Sequence, residues 1–248
     1  MKIVKSRTAQ AIALAFGVSV LALAQSTPAQ PTRIQVVIVH IKPDMLNEWV
    51  DLQKNELIRA QKKGGIKTRT TYQTVFGNTF EYTSVTPLEK FAQLDGQSAA
   101  TRALGAEAAA RLTAKLSKCL ESRQVYAGTL MPDLSNAPAG ETPPVGVFTR
   151  RRVAPGKLED YQNFVKTQIL PIYKKAGVGF TVARRGLGAN NSDFISVVWV
   201  SKLADLDAGN PITRALGEAA AAKLGATSAG MAPIIEQVVR RRVPELSY

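Results

Sequence analysis

The chain has 248 residues, with 32 Lys and Arg against 19 Asp and Glu, one His and one Cys. Hydrophobic residues at 45% and charged residues at 21% are ordinary globular values, which excludes a disordered or collagen-like chain. One cysteine excludes an internal disulfide framework and a cysteine-rich zinc site. One histidine excludes a centre built on several of them, and a His/Cys zinc site would need a second chain or several carboxylates.

The N-terminus reads as an export signal. Met1 to Arg7 carries Lys2, Lys5 and Arg7, Ala11 to Ala24 is almost wholly apolar, and Ala22-Leu23-Ala24 before Gln25 forms an A-x-A cleavage signature. Cleavage after Ala24 and a periplasmic or secreted location are expected, the rival reading being an uncleaved anchor. The apolar stretch is short for a bilayer, and no later segment is apolar for long enough to span one, so no membrane span is expected after signal removal. Without the signal, 29 basic and 19 acidic residues remain, a balance that favours anionic partners. The basic-plus-aromatic stretches that bind single-stranded nucleic acid are missing from the sequence, so no nucleic acid is expected.

The rest of the chain is written twice. Thr101-Arg102-Ala103-Leu104-Gly105 recurs as Thr213-Arg214-Ala215-Leu216-Gly217, 112 residues later. The same offset sets Pro43 on Pro155, Lys62-Lys63-Gly64-Gly65 on Lys174-Lys175-Ala176-Gly177, and Pro132-Asp133-Leu134-Ser135 on Pro244-Glu245-Leu246-Ser247. Residues 31–135 laid on 143–247 without a gap agree at 27 of 105 positions. A repeat of that length is a small domain rather than a solenoid unit. Residues 136–144, with three prolines and a glycine, read as a linker between a first repeat at 25–135 and a second at 145–248.

Each copy reads strand, helix, strand, strand, helix, strand. Arg33–Ile41 and Val145–Val153 are β-branched, mostly apolar strands. Pro43 and Pro155 open helices, where a missing N–H costs nothing. Leu46, Trp49, Val50, Leu57 and Ile58 then recur near helical spacing, and the Lys-Lys pairs with the glycines beyond them end these helices. Ile66–Phe76 and Phe80–Val85 predict a hairpin about Gly77-Asn78, mirrored about residues 188–191. Ser98 and Asn210 predict the N-caps of alanine-rich helices, with Gly105 and Gly217 inside them at about 1 kcal/mol each relative to Ala. Last strands are predicted over Arg123–Met131 and Ile235–Val243.

That order is the βαββαβ, ferredoxin-like unit. With the strand-to-proline openings (Val39-His40-Ile41-Lys42-Pro43 and Arg152-Val153-Ala154-Pro155), the Lys-Lys-x-Gly helix ends and the Leu-Asp pairs ahead of Thr-Arg-Ala-Leu-Gly, the sequence resembles the dimeric α/β-barrel superfamily. That superfamily includes antibiotic-biosynthesis-monooxygenase-like and NIPSNAP-like domains. The resemblance implies an α+β protein in which two tandem ferredoxin-like repeats pack sheet to sheet as an intramolecular α/β barrel. It covers cofactor-free oxygenases, haem enzymes and isomerases, so it implies no single activity. Its haem enzymes take an axial histidine from a helix near the barrel mouth, whereas His40 falls on a strand.

Arg150-Arg151-Arg152 and Arg240-Arg241-Arg242 stand where the first copy has Ile38-Val39-His40 and Gly128-Thr129-Leu130. Strand alternation puts Arg150 with Arg152, and Arg240 with Arg242, on one face each. Arginines on an inward face need water, carboxylates or an anionic ligand; otherwise they are strand ends in solvent. The ligand-binding candidates are therefore Arg150, Arg152, Arg240, Arg242 and His40, with Tyr72 among the aromatics expected to line a core or cavity. Asp95/Arg102 and Asp207/Arg214, repeated at one spacing, predict an ion pair or cap that fixes a loop, and Cys119 reads as a buried structural thiol. No catalytic motif is legible, and neither cofactor nor metal is called for. The leading reading is a non-catalytic or weakly catalytic exported module, a monomeric pseudo-dimer or a homodimer, that binds a small, anionic molecule in the second repeat's cavity. The alternatives are a cofactor-independent monooxygenase or isomerase acting on an aromatic or polyketide-like substrate, and a basic module for acidic envelope polymers.

Overall fold

The computed structural model describes residues 32–138 and 140–248, so the export-signal reading of residues 1–24 lies outside the described residues. Strand β1 (Arg33–Ile41) is β-branched over most of its length. It runs through a 3-10 turn opened by Pro43 into α1 (Leu46–Leu52), a π turn (Gln53–Leu57) and α2 (Ile58–Lys63). Then come β2 (Thr70–Phe76), β3 (Glu81–Pro87), α3 (Ala99–Leu104), α4 (Ala106–Lys118) and β4 (Leu120–Leu130). The order recurs as β5 (Val145–Arg152), α5 (Leu158–Phe164), α6 (Leu170–Lys175), β6 (Phe180–Arg185), β7 (Asp193–Val200), α7 (Pro211–Leu216), α8 (Glu218–Met231) and β8 (Ile234–Arg242). A second π turn, Val165–Ile169, joins α5 to α6.

The eight strands form one closed, wholly antiparallel barrel in the order β1-β3-β2-β8-β5-β7-β6-β4. This is the ferredoxin-like α/β barrel, but the sheet-to-sheet packing expected from the sequence is corrected. The two four-stranded sheets curl and join edge to edge, through β2 with β8 and β4 with β6. Closure pairs every strand edge, which face-to-face stacking would leave open. Because all neighbours are antiparallel, β1 and β5 run in the same sense, and corresponding residues of the halves lie at the same end of the barrel.

The helices cover the outside. One core gathers Trp49, Leu52, Ile58, Leu112 and Cys119 against β1, and another gathers Tyr161, Phe164, Tyr173 and Phe180 against β6 and β7. Cys119 is fully buried there, its Sγ donating to the Lys115 carbonyl at 3.5 Å. The ends of the halves are exchanged: Leu134 enters the second half's core, and Leu246 enters the first half's.

Local expectations hold at the caps. Ser98 Oγ accepts from the Thr101 N–H at 3.1 Å, and Asn210 Oδ1 from the Ile212 N–H at 2.8 Å. Others are corrected. Gly105 and Gly217 are not inside helices. With φ of +82° and +78° they stop α3 and α7 and start α4 and α8, turning the chain through backbone that L side chains avoid. Arg102 does not pair with Asp95; it donates to the carbonyls of Gly64 and Gln97, tying the helix pair to the end of α2. Pro155 lies in a turn ahead of α5, and β2 begins at Thr70 rather than Ile66.

Candidate functional site

Every second side chain of a barrel strand faces the axis. Here those side chains enclose a cavity of about 360 Å³. Its walls include Ile34, Val36, Tyr72 and Tyr126 from the first half, and Phe148, Arg150, Arg185, Trp199 and Arg240 from the second. The expectation that the cavity belongs to the second repeat is therefore corrected: both halves build it, because the barrel closes between them. Gly146 lets Val197, Phe148 and Trp199 close over its strand, since a Cβ there would come within 2.7 Å of Val197 and 3.0 Å of the Trp199 ring.

One layer is aromatic. Tyr72, Phe148 and Trp199 pack with centroids 5.5–5.9 Å apart, and Trp199 Nε1 donates to Thr181 Oγ1 at 2.8 Å. Burial pushes the Tyr72 phenol up to about 12 against the pull of Arg242, so it is neutral at physiological pH. Ala137, Pro138 and Thr142, from the segment between the halves, line the end where β1 and β5 begin.

The other layer, toward the end where β1 and β5 finish, is charged. Glu81 accepts from Arg240 at 2.7 Å, from Thr74 Oγ1 at 2.9 Å and from His40 Nε2 at 3.0 Å. His40 Nδ1 lies 2.7 Å from Ser122 Oγ, so both ring nitrogens are engaged at the rim. Asp193 is shared by three guanidinium groups: Arg152 at 2.7 Å, Arg150 at 3.2 Å and Arg185 at 3.7 Å. Arg150 also reaches Glu236 at 3.3 Å. Burial alone would raise both carboxyls. The Arg240 charge and its hydrogen bond, with those of Thr74 and His40, hold Glu81 below the usual carboxylate range, and Arg152 and Arg150 do the same for Asp193.

Arg185 is the least satisfied of these groups. Its residue is 8% exposed, Nη2 donates to Gln124 Oε1 at 3.1 Å, and the guanidinium lies 4.3 Å from the Tyr126 ring centroid. Its Nε is buried with no hydrogen-bond partner, as is Thr83 Oγ1 on the same cavity wall. Four guanidiniums (Arg150, Arg152, Arg185, Arg240) thus face three carboxylates (Glu81, Asp193, Glu236), with donors left over. Such an arrangement suits an anion.

Of the six residues singled out from the sequence, Arg150, Arg240 and Tyr72 line the cavity. Arg152 and His40 lie at its charged rim, paired with Asp193 and Glu81. Arg242 stands apart from them, bonded to Glu141 of the connecting segment. Sequence reasoning missed Glu81, Asp193, Glu236 and the placement of Arg185. The miss at Arg185 has a definite origin. Tyr72 pairs with Thr83, while Ala183 pairs with Ile195, so β6 matches β2 at an offset of 111, one less than the repeat elsewhere. Arg185 therefore takes the inward position of Thr74, whereas the ungapped repeat would set it on Gln73. Among the described residues, no group of three His, Cys, Asp or Glu is placed to hold a metal ion.

No protein-family model matches the chain, and no curated protein matches it. Solved structures do. An anthrone oxidase-like protein superposes with a TM-score of 0.56 at 11% identity, over 87% of this chain and 92% of that one. A proposed monooxygenase from Lactobacillus acidophilus gives 0.53 at 10%, over 86% and 94%. Chlorite dismutase from Candidatus Nitrospira defluvii gives 0.51 at 12%, over 86% and 92%. Identities this low establish the shared fold alone.

Proposed function

We propose that this chain is an exported binding protein that holds a small aromatic anion inside its barrel. The observation that carries the reading is Arg185, a buried cation with an unpartnered Nε, set in a cavity whose opposite layer is the Tyr72–Phe148–Trp199 cluster. An unmade hydrogen bond at a buried charged donor is costly, and an incoming carboxylate or sulfonate oxygen supplies it. A planar apolar body then replaces water against the aromatic layer.

Trp49 and Trp199 are the two tryptophans of the chain, and of these Trp199 lines the barrel. In Trp49→Phe protein, titration with 1-naphthoate is expected to change Trp199 fluorescence saturably. Arg185→Met is expected to weaken binding by about tenfold or more, the worth of one charged hydrogen bond. Equal affinity in Arg185→Met, or no saturable change, refutes the reading. Native mass spectrometry of protein purified from its own cells reads the processed mass, which tests cleavage after Ala24, and any co-purifying small anion.

A further inference from the structure

Outside the barrel, the first half buries another cation. Arg69 is 4% exposed, and among the described residues no carboxylate lies within ion-pair distance of its guanidinium. Tyr248 touches its backbone: the Arg69 N–H donates to the Tyr248 main-chain oxygen, and the Tyr248 N–H to the Arg69 carbonyl, each at 2.8 Å. The guanidinium itself is held only by neutral acceptors. These are Thr71 Oγ1 at 3.1 Å, Gln61 Oε1 at 3.0 Å, Gln53 Oε1 at 2.8 Å and Ser84 Oγ at 2.8 Å.

That set sits on the wall of a second cavity, of about 310 Å³, between the outer face of the barrel and the helices. Gln53, Gln61, Arg69 and Ser84 line it beside an aliphatic wall from Val37, Val39, Leu57 and Leu116, with Trp49 adjoining and the exposed Arg123 contributing a second cation. The hydrogen bonds fix the chemistry it offers. Both amide oxygens accept from Arg69, so what each glutamine has left is its NH2 group. One cation and two amide donors, with their neutral acceptors engaged, make a surface that attracts a negative oxygen.

The second half shows what the same place looks like as plain core. Gln53 and Gln61 correspond to Val165 and Tyr173 at the repeat offset, and the register of β2 and β6 sets Arg69 on Phe180. There Tyr173 and Phe180 stack with centroids 4.4 Å apart and planes 6° from parallel, inside the hydrophobic core. A ferredoxin-like unit of this chain thus closes over an aromatic pair with no buried cation at this place. The cation in the first half is not a requirement of the fold.

We infer that the Arg69 cavity is a second binding site, separate from the barrel interior, that takes a short aliphatic monocarboxylate. Among the described residues, Arg69 is the one buried guanidinium of the cavity and has no carboxylate partner, so it matches one negative charge, while the exposed Arg123 stays solvated; the aliphatic wall matches an alkyl chain better than an inorganic ion. Burial pushes Arg69 down to about 10, still far above neutral, so the cation is in place at physiological pH.

The test uses Trp49, the tryptophan that lines this cavity. In Trp199→Phe protein, hexanoate is expected to shift Trp49 emission saturably and to raise the melting temperature, while hexanamide, the neutral isostere, does neither. Arg69→Leu risks unfolding, because it strands the buried Gln53 and the half-buried Gln61. The informative variant combines Gln53→Val, Gln61→Tyr and Arg69→Phe, which copies Val165, Tyr173 and Phe180 as already packed in the second half. It is expected to fold with unchanged circular dichroism, to keep 1-naphthoate binding in the barrel, and to lose hexanoate binding by about tenfold or more. Arg69→Lys keeps the charge but loses the fork that orients both amides, and is expected to fall between the two. Absence of a saturable hexanoate response in the parent protein overturns the inference, as does equal affinity in the triple variant. Arg185→Met, which disables only the barrel site, is expected to leave hexanoate binding unchanged, so failure of one site is read separately from failure of the other.

Discussion

The ion pair between Arg240 and Glu81 ties β8 of the second half to β3 of the first, so its removal tests the closure of the barrel. The pair is 2.7 Å long, with side chains 9% and 11% exposed. Two unit charges about 4 Å apart interact by about 4 kcal/mol at an effective dielectric constant near 20, and burial of both offsets much of that. The two single variants are not equivalent. Glu81→Gln keeps an amide oxygen beside Arg240 but removes the negative charge, so Arg240, with Thr74 Oγ1 at 3.4 Å and the Phe148 ring at 4.9 Å, becomes a buried cation without an anion. It is expected to cost about 3–5 kcal/mol. Arg240→Met leaves Glu81 with the hydrogen bonds of Thr74 and His40, and a carboxyl, unlike a guanidinium, escapes by taking up a proton. Its expected cost is smaller, about 2–3 kcal/mol. The double variant removes both charges and is expected to cost less than the sum of the singles by about 1–3 kcal/mol. Urea unfolding of the four proteins at pH 7, followed by far-ultraviolet circular dichroism, measures the cycle. Additivity, or single variants within about 0.5 kcal/mol of the parent, refutes the claim that this pair couples the halves.

Acid provides an independent check. Glu81 and Asp193 are held below the usual carboxylate values, so their stabilising contribution is fully present above about pH 4 and is lost as pH falls through the folded-state values. The melting temperature is expected to be flat from about pH 8 to 5 and to fall below about pH 4, with a shallower fall in Asp193→Asn; an equally steep fall in that variant refutes the assignment. Leu246→Ala removes a fully buried side chain that the second half inserts into the first half's core, and is expected to cost about 2–5 kcal/mol in denaturant unfolding. Gly105→Ala forces a side chain onto a φ of +82° in open space, so strain alone is expected to cost about 1–2 kcal/mol in the same assay, and a neutral result contradicts the helix break.

The interior face of the barrel shows why the site was only half legible. Strand alternation put Arg150 and Arg240 on their strands' common faces with Arg152 and Arg242, but it carries no information about which face is inward. The two outer members also lie two residues nearer a strand end, which takes Arg152 to the rim and Arg242 to Glu141. Asp193 is a lone carboxylate after a hairpin in sequence, and becomes the partner of three arginines only when β5, β6 and β7 stand side by side. Arg69 gave no signal at all, because the glutamines that hold it lie 8 and 16 positions earlier on a helix packed over the sheet.

By itself the sequence determined what depends on neighbours along the chain. The period of 112, the order of strands and helices, the serine and asparagine caps and the parity of the arginine runs all follow from local spacing and local hydrogen bonding. The tertiary structure decided what depends on register and closure. Edge pairing of β2 with β8 and β4 with β6 made one cavity from two halves. The single-residue slip of β6 turned Arg185 inward, and the packing of helices on the first half left Arg69 buried beside a second cavity. The reason is physical: a strand's side chains alternate with period two whatever its partner. Only the hydrogen bonds to that partner decide which half of them faces the axis.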